Sequence, residues 1–356
     1  MKKIYQLLSV ACIATVFTAC KKDSNPIIVV PPSDGSSITL NGLIAAEAGS
    51  AAGNSVFVGF SKDKQVSVDR SSWELGFYSG TDFKVILNNT SGVSVLKLTK
   101  TNLNDVTVSD FKAEDLLVGG ANGNFTLFDD PTKENALVSP AITSVASNDS
   151  ENPVYILNRT ANSVAAAADM YKIRILRNGN GYTLQYAKVS ETSFKTLSIT
   201  KDAKYNFQFA SLTNNKLVDV EPVKNDWDLN WGFSIYYTAF GTANVPYTFS
   251  DLVFINSIAG VTAAEVIFSG TTANSTVNYA DFSESNLTGI NFSKNRDVIG
   301  SKWRGTTGTV GVKTDRFYLI KDGSGNVYKL KFVSFISNDG GTRGKPVLEY
   351  KLIKKG

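Results

Sequence analysis

Apolar and polar residues alternate in short runs along most of this chain, and the runs come in pairs. The stretch MYKIRILRNGNGYTLQYAKV at 170–189 is an alternating segment, an Asn-Gly turn and a second alternating segment. DRFYLIKDGSGNVYKLKFVSF at 315–335 repeats that plan around an Asp-Gly turn. Alternation with period two puts one face of a strand in a core, and Asn-Gly or Asp-Gly supplies the backbone of a tight turn. Both stretches predict β-hairpins. Their second strands carry an aromatic, an aliphatic and an aromatic on one face: Tyr182, Leu184 and Tyr186 in one, Tyr328, Leu330 and Phe332 in the other.

The flanks repeat as well. Each hairpin is followed by a further short strand, FKTLSIT at 194–200 and PVLEYKLI at 346–353. Upstream lie two tryptophan phrases, SSWELGF at 71–77 and NDWDLNWGF at 225–233, preceded in turn by SVFVGF at 55–60 and YNFQF at 205–209. Four features in the same order indicate a tandem duplication. A period of about 150 residues is the size of a domain and not of a solenoid unit. The boundary is expected near ITKDAK at 199–204, giving β domains at 41–200 and 201–356, each with its own core. On a strand, Trp73, Leu75 and Phe77 would share one face, as would Trp227, Leu229 and Trp231, with Glu74 and Asp228 pointing the other way.

Helical periodicity is thin. NGLIAAEAGSAA at 41–52, VSDFKAEDLL at 108–117 and NSVAAAADMYKI at 162–173 are the segments expected to form minor helices. The fold class is mainly β: two tandem antiparallel β domains, with long loops between the tryptophan strand and the hairpin of each half.

The first residues depart from this pattern. MKKIYQLLSVACIATVFTAC has two lysines, a short apolar run and small residues before Cys20, which predicts a lipoprotein signal over 1–19 and acylation of Cys20. The proline-containing segment PIIVVPPSDGSS at 26–37 reads as part of a flexible tether over 20–40. Loss of Lys2 and Lys3 with the leader leaves 34 basic against 32 acidic groups, a balance with no call for nucleic acid. Cys12 leaves with the leader and Cys20 is lipidated, so no disulfide is expected. There is no histidine, which excludes a Ser-His-Asp triad, His-ligated zinc and His-ligated haem.

Taken together, the lipobox and tether at 17–25, the WELGF and WDLNW phrases, and the close DRFYLIKDGSGNVYKLKFVSF followed by GTRGKPVLEYKL resemble the HmuY family of bacterial haem-binding surface lipoproteins. The resemblance implies a non-enzymatic, all-β, cell-surface lipoprotein of the outer membrane. Such a protein takes haem from host haemoproteins and passes it to an outer-membrane receptor. Members hold iron through paired histidines, and some relatives through methionines. Neither set is present here, because Met1 is cleaved and only Met170 remains.

Haem iron also accepts a tyrosinate or a single thioether. The positions open to that role are Met170 and Tyr171 at the first hairpin, Tyr78 after the first tryptophan phrase, and Tyr236, Tyr237 and Tyr247 after the second. The plainer reading makes Met170 a gap filler and the tyrosines ordinary strand residues. Two acidic stretches, FDDPTKEN at 128–135 and SNDSENP at 147–153, lack the ligand alternation of a calcium loop. Two functions follow: capture of haem or a related tetrapyrrole without histidine, or a structural or adhesive surface lipoprotein that binds a glycan, a peptide or an outer-membrane partner. Cys20→Ser should move the protein from the membrane to the soluble fraction on cell fractionation; unchanged membrane association would refute the lipid anchor.

Overall fold

The computed structural model describes residues 30–119, 124–160 and 162–356, so the leader and Cys20 lie outside the described residues. The first half forms strands β1 (Gly35–Thr39), β2 (Asn54–Gly59), β3 (Lys64–Asp69), β4 (Leu75–Tyr78), β5 (Val85–Leu87), β6 (Ser94–Lys97), β7 (Val154–Asn158), β8 (Tyr171–Asn178), β9 (Gly181–Lys188) and β10 (Lys195–Ile199). The second forms β11 (Phe207–Ser211), β12 (Lys216–Val218), β13 (Leu229–Phe240), β14 (Ala243–Ile255), β15 (Thr262–Ile267), β16 (Arg304–Gly305), β17 (Gly311–Val312), β18 (Arg316–Lys321), β19 (Val327–Ser334) and β20 (Val347–Lys354). The fold is mainly β and antiparallel.

Each predicted hairpin lies in a five-stranded sheet, one in the order β10-β9-β8-β7-β6 and the other, with β1 of the first half at its edge, in the order β1-β20-β19-β18-β15. The turn after Asn178 is closed by Gly179 at a φ of 57°, a left-handed conformation glycine adopts without penalty. The hairpin faces expected from the sequence are core faces. Tyr182, Leu184 and Tyr186 pack in one apolar cluster, and Tyr328, Leu330 and Phe332 in another.

The two four-stranded sheets mix the halves. Their orders are β12-β11-β4-β5 and β14-β13-β2-β3, so each tryptophan phrase pairs with the leading hairpin of the other half. Phe209 lies opposite Gly76, and Val56 opposite Trp231. The same exchange fills the cores: Ala210 and Leu212 join Leu75 and Phe77, while Val56, Val58 and Phe60 join Leu229 and Trp231. Residues 199–204 contain the connection between β10 and β11, yet strands on either side of it share sheets. Pro32–Gly356 forms one compact unit.

The repeat is visible in the hydrogen bonds. The Glu74 N–H donates to the Ala210 carbonyl at 3.0 Å, and the Asp228 N–H to that of Val58 at 2.7 Å. Each carboxylate then accepts one backbone N–H of the exchanged hairpin, Leu212 to Glu74 and Phe60 to Asp228, both at 2.7 Å. Asn88 and Asn256 close the pattern by donating side-chain N–H groups to the carbonyls of Trp73 at 2.7 Å and Trp227 at 3.1 Å.

The face assigned to the tryptophans, the minor helices and the extent of the tether are corrected. Strands β4 and β13 begin at Leu75 and Leu229, after the tryptophans, so alternation does not extend back to them. Trp73 and Trp227 lie in a third cluster with Phe57, Ile86, Phe207, Phe209 and Val220, away from Leu75, Phe77, Leu229 and Trp231. The carboxylates Glu74 and Asp228 are buried. The expected helices at 41–52, 108–117 and 162–173 reduce to short 3-10 turns at Gly49–Ala51, Val108–Asp110, Ala113–Leu116 and Ala167–Asp169. At the first, Gly42 sits where a Cβ would lie 2.2 Å from the Trp231 ring, so the backbone is pressed onto the core instead of coiling beside it. Residues 35–39, read as tether, form β1 on the edge of β20. No helix among the described residues is long and apolar enough to cross a membrane.

The strand exchange changes what isolated halves should do. Fragments 38–200 and 201–356 each lose partners for a tryptophan strand and for a hairpin. Full-length protein should unfold in one cooperative transition, each fragment alone should lack one, and mixing the fragments should restore it by calorimetry. Cooperative unfolding of either fragment alone would show that the exchange is dispensable.

Candidate functional site

Between the two mixed sheets, the tryptophan cluster lines a partly open cavity of about 170 Å³. Its walls are aromatic. Phe57 meets Trp227 edge-on at 5.0 Å between ring centroids, and Trp73 meets Phe209 edge-on at 4.7 Å. The site is thus assembled from both halves, one tryptophan from each, because each phrase is paired to the other half's hairpin. The lining also carries polar groups, among them Ser55, Asn230, Glu221 and Arg296. Glu221 accepts the Phe207 N–H at 2.8 Å, and burial raises it to about 7. Burial also lowers the pKa of Arg296, against the opposing pull of Asp129. The Arg296 guanidinium donates to the Asp130 carbonyl at 2.9 Å and lies 5.5 Å from the Phe254 ring centre.

The residues expected to ligate iron fall in separate places. Met170 is 1% exposed and packs with Leu103, Val106, Leu116, Val154, Ile156 and Val189. Together with Tyr171 it lines a groove of about 530 Å³, which also contains Arg159 and Lys188. Arg159 is paired with Glu74 at 2.8 Å and Lys188 with Asp169 at 3.1 Å. Tyr78 packs on Phe207 at the edge of the tryptophan cluster, 5.8 Å between ring centres.

Tyr236, Tyr237 and Tyr247 share the β13–β14 ribbon, with Tyr236 directly opposite Tyr247. The Tyr236 hydroxyl donates to Asp297 at 2.9 Å, and burial together with that carboxylate raises its pKa far above the ordinary range. Those contacts hold it as a phenol and oppose tyrosinate formation. Tyr237 packs against it with tilted rings, 4.4 Å between centroids, while Tyr247 is 54% exposed. A register shift between Gly232 and Ser234 kinks the ribbon opposite Asp251, whose φ is 59° and whose carboxylate is held by Arg343 at 3.0 Å. Beyond that kink the ribbon ends in Phe240, 62% exposed.

In the acidic segments, Asp129 accepts backbone N–H groups from Leu87 at 2.6 Å and Ala141 at 3.1 Å, so its oxygens are committed to loop structure. Among the described residues no cluster of three or more histidine, cysteine or acidic side chains is placed to hold a metal ion. Sequence reasoning missed the cavity itself and the paired Asn88 and Asn256. The asparagines follow their tryptophans at different distances, since β13 and β14 are longer than β4 and β5, so no fixed spacing marks them.

Compared with known proteins, residues 51–350 match the family model described as HmuY protein, running through both halves. No curated protein and no solved structure matches the chain.

Buried carboxylates give this architecture a defined pH response. Burial raises Asp228 and Glu221 to about 7 and Asp129 to about 6. Unfolded carboxylates titrate near about 4, so between about pH 4 and 7 the folded chain binds more protons, and stability falls as pH rises through that window. Carboxylates held low, such as Glu47 at about 2 through backbone N–H groups of Ile44 and Ala45, are ionised in both states above about pH 5, so their contribution is constant there and adds nothing to the slope. The melting temperature should be higher near pH 5 than near pH 8. Asp228→Asn keeps an acceptor for the Phe60 N–H and should flatten that slope. A wild-type melting temperature that climbs from pH 5 to 8 would contradict this assignment.

Proposed function

The chain belongs to the HmuY family, and on that premise we propose that it is a non-enzymatic, lipid-anchored outer-membrane protein exposed at the cell surface. It captures haem or a related tetrapyrrole and hands it to an outer-membrane receptor, holding the iron without histidine. The observation that carries this reading is the groove at the first hairpin. There Met170 and Tyr171, two side chains of types that ligate haem iron, line one concavity with the cations Arg159 and Lys188.

The donor set fits the group. A thioether and a phenol suit iron, Leu157 and Val164 supply apolar contact, and the two cations are of the sign that carboxylate side groups require. The volume of about 530 Å³ lies within the range of small-molecule pockets, roughly 300–1,000 Å³. Bound there, haem would supply the visible absorption and redox chemistry of its iron. The protein's part is to orient it. Arg159 and Lys188 would exchange Glu74 and Asp169 for the ligand's carboxylates, and Met170, 1% exposed, would have to be uncovered before its sulfur could be reached. Tyr236 is the weakest of the expected ligands, since Asp297 keeps it protonated.

Haemin added to soluble protein should give a saturable Soret shift. Met170→Leu keeps the core volume and should weaken ferrous binding most, whereas Tyr171→Phe should weaken ferric binding most. Equal affinity in both redox states for wild type and both variants would remove these residues from the site. Absence of saturable binding would favour the adhesive reading, for which the exposed Phe240 and Tyr247 of the β13–β14 ribbon are the surface on which a partner would dock.

A further inference from the structure

The cavity between the mixed sheets shares no lining residue with the Met170 groove, and its chemistry calls for a different ligand. At about 170 Å³ it is far below the range of pockets for drug-sized molecules, roughly 300–1,000 Å³, and close to the void of about 150 Å³ that admits benzene. That space suits a molecule of one or two fused rings, and the two edge-on pairs, Phe57 with Trp227 and Trp73 with Phe209, present the faces and edges against which such rings pack.

The polar groups specify the other end of the ligand. Four residues of the lining have a buried side-chain atom without a hydrogen-bond partner: Ser55 Oγ, Trp227 Nε1, Asn230 Nδ2 and Arg296 Nε. Ser55 and Trp227 are more than nine-tenths buried. Indole Nε1, amide Nδ2 and guanidinium Nε are donors only, and a serine hydroxyl can donate. A buried donor without a partner is destabilising, so four of them in one lining are a standing demand for an acceptor. One of the four belongs to a guanidinium whose pKa burial lowers, a cation that an added anion would stabilise. The acids of the neighbourhood are already engaged. Glu221 accepts the Phe207 N–H, Asp129 accepts from Leu87 and Ala141, and Asp297 from Tyr236.

We propose that this cavity is a second binding site, specific for a small planar aromatic carboxylate. The ring lies among Phe57, Trp73, Phe209 and Trp227, and the carboxylate accepts from Arg296, Asn230, Trp227 and Ser55. Because each half contributes one tryptophan and the exchanged hairpins bring them together, the site exists only in the paired fold.

The test uses the full soluble chain with benzoate and indole-3-acetate as probes, indole as the neutral aromatic control and cyclohexanecarboxylate as the non-aromatic one. Titration calorimetry, with tryptophan fluorescence alongside, should show saturable one-to-one binding of at least one aromatic carboxylate. It should bind at least tenfold more tightly than either control. Trp227→Phe keeps the ring and removes the donor, and Arg296→Met removes the cation; each should weaken the carboxylate about tenfold or more while changing indole little. Melting temperatures of the variants separate lost binding from lost folding, and Asn230→Leu offers a third removal should either variant fail to fold. The proposal is overturned if neither probe binds saturably, if indole or cyclohexanecarboxylate binds as tightly as the aromatic acid, or if the folded variants bind as wild type does. Haemin affinity measured through the Soret band should be unchanged in protein saturated with the probe, so failure here and failure at the Met170 groove are read separately.

Discussion

Two buried carboxylates hold this structure's halves to each other. Glu74 takes the Leu212 N–H from the second half, and Asp228 takes the Phe60 N–H from the first, each at 2.7 Å and each just past the strand that its own half lends to the other sheet. A carboxylate removed from water is costly, and burial raises the pKa of both. That cost is tolerable because each carboxyl group satisfies a backbone donor which would otherwise be buried without a partner. The repeated tryptophan-carboxylate phrase is therefore a joint. The carboxylate fixes the exchanged hairpin, and the tryptophan fills the space between the two joints.

Much of the rest depends on that pairing. With the hairpins exchanged, Phe57 and Phe209 arrive beside Trp227 and Trp73, and the tryptophan cluster forms between the mixed sheets with a cavity at its centre. Outside it, the two five-stranded sheets close the main cores through Tyr182, Leu184 and Tyr186 and through Tyr328, Leu330 and Phe332. Arg159, which pairs with Glu74, lies on the groove lined by Met170 and Tyr171, so the first joint and the proposed haem groove share an ion pair. Occupation of that groove by a ligand carboxylate would act directly on the charge balance at Glu74.

The hairpins, their aromatic faces and the duplication were legible in the sequence because each is local: a period of two, a turn dipeptide, an order of elements. The exchange was not, since the choice of β2 or β11 as partner for β4 is a matter of tertiary packing on which alternation is silent. Tryptophan 73 and tryptophan 227 were assigned to the wrong face because the strands start two residues later than the alternating pattern suggests. The alanine-rich segments at 41–52 and 162–173 carry helix formers, yet close packing of Gly42 on Trp231 and the early start of β8 leave room only for single turns. Of the expected iron ligands, Met170 and Tyr171 were grouped by sequence adjacency, and they do line one groove. Tyr236 donates to Asp297, a partner 61 residues away that no motif announces.

The most direct measurement of the joint is amide hydrogen exchange at Phe60 and Leu212 in wild type, Glu74→Ala and Asp228→Ala. Wild type should protect both amides to the level of global unfolding. Asp228→Ala should release Phe60 while Leu212 stays protected, and Glu74→Ala should do the reverse. Protection of Phe60 that survives loss of the Asp228 carboxylate would contradict the account, because the two halves would then be held together by something other than the exchanged pair.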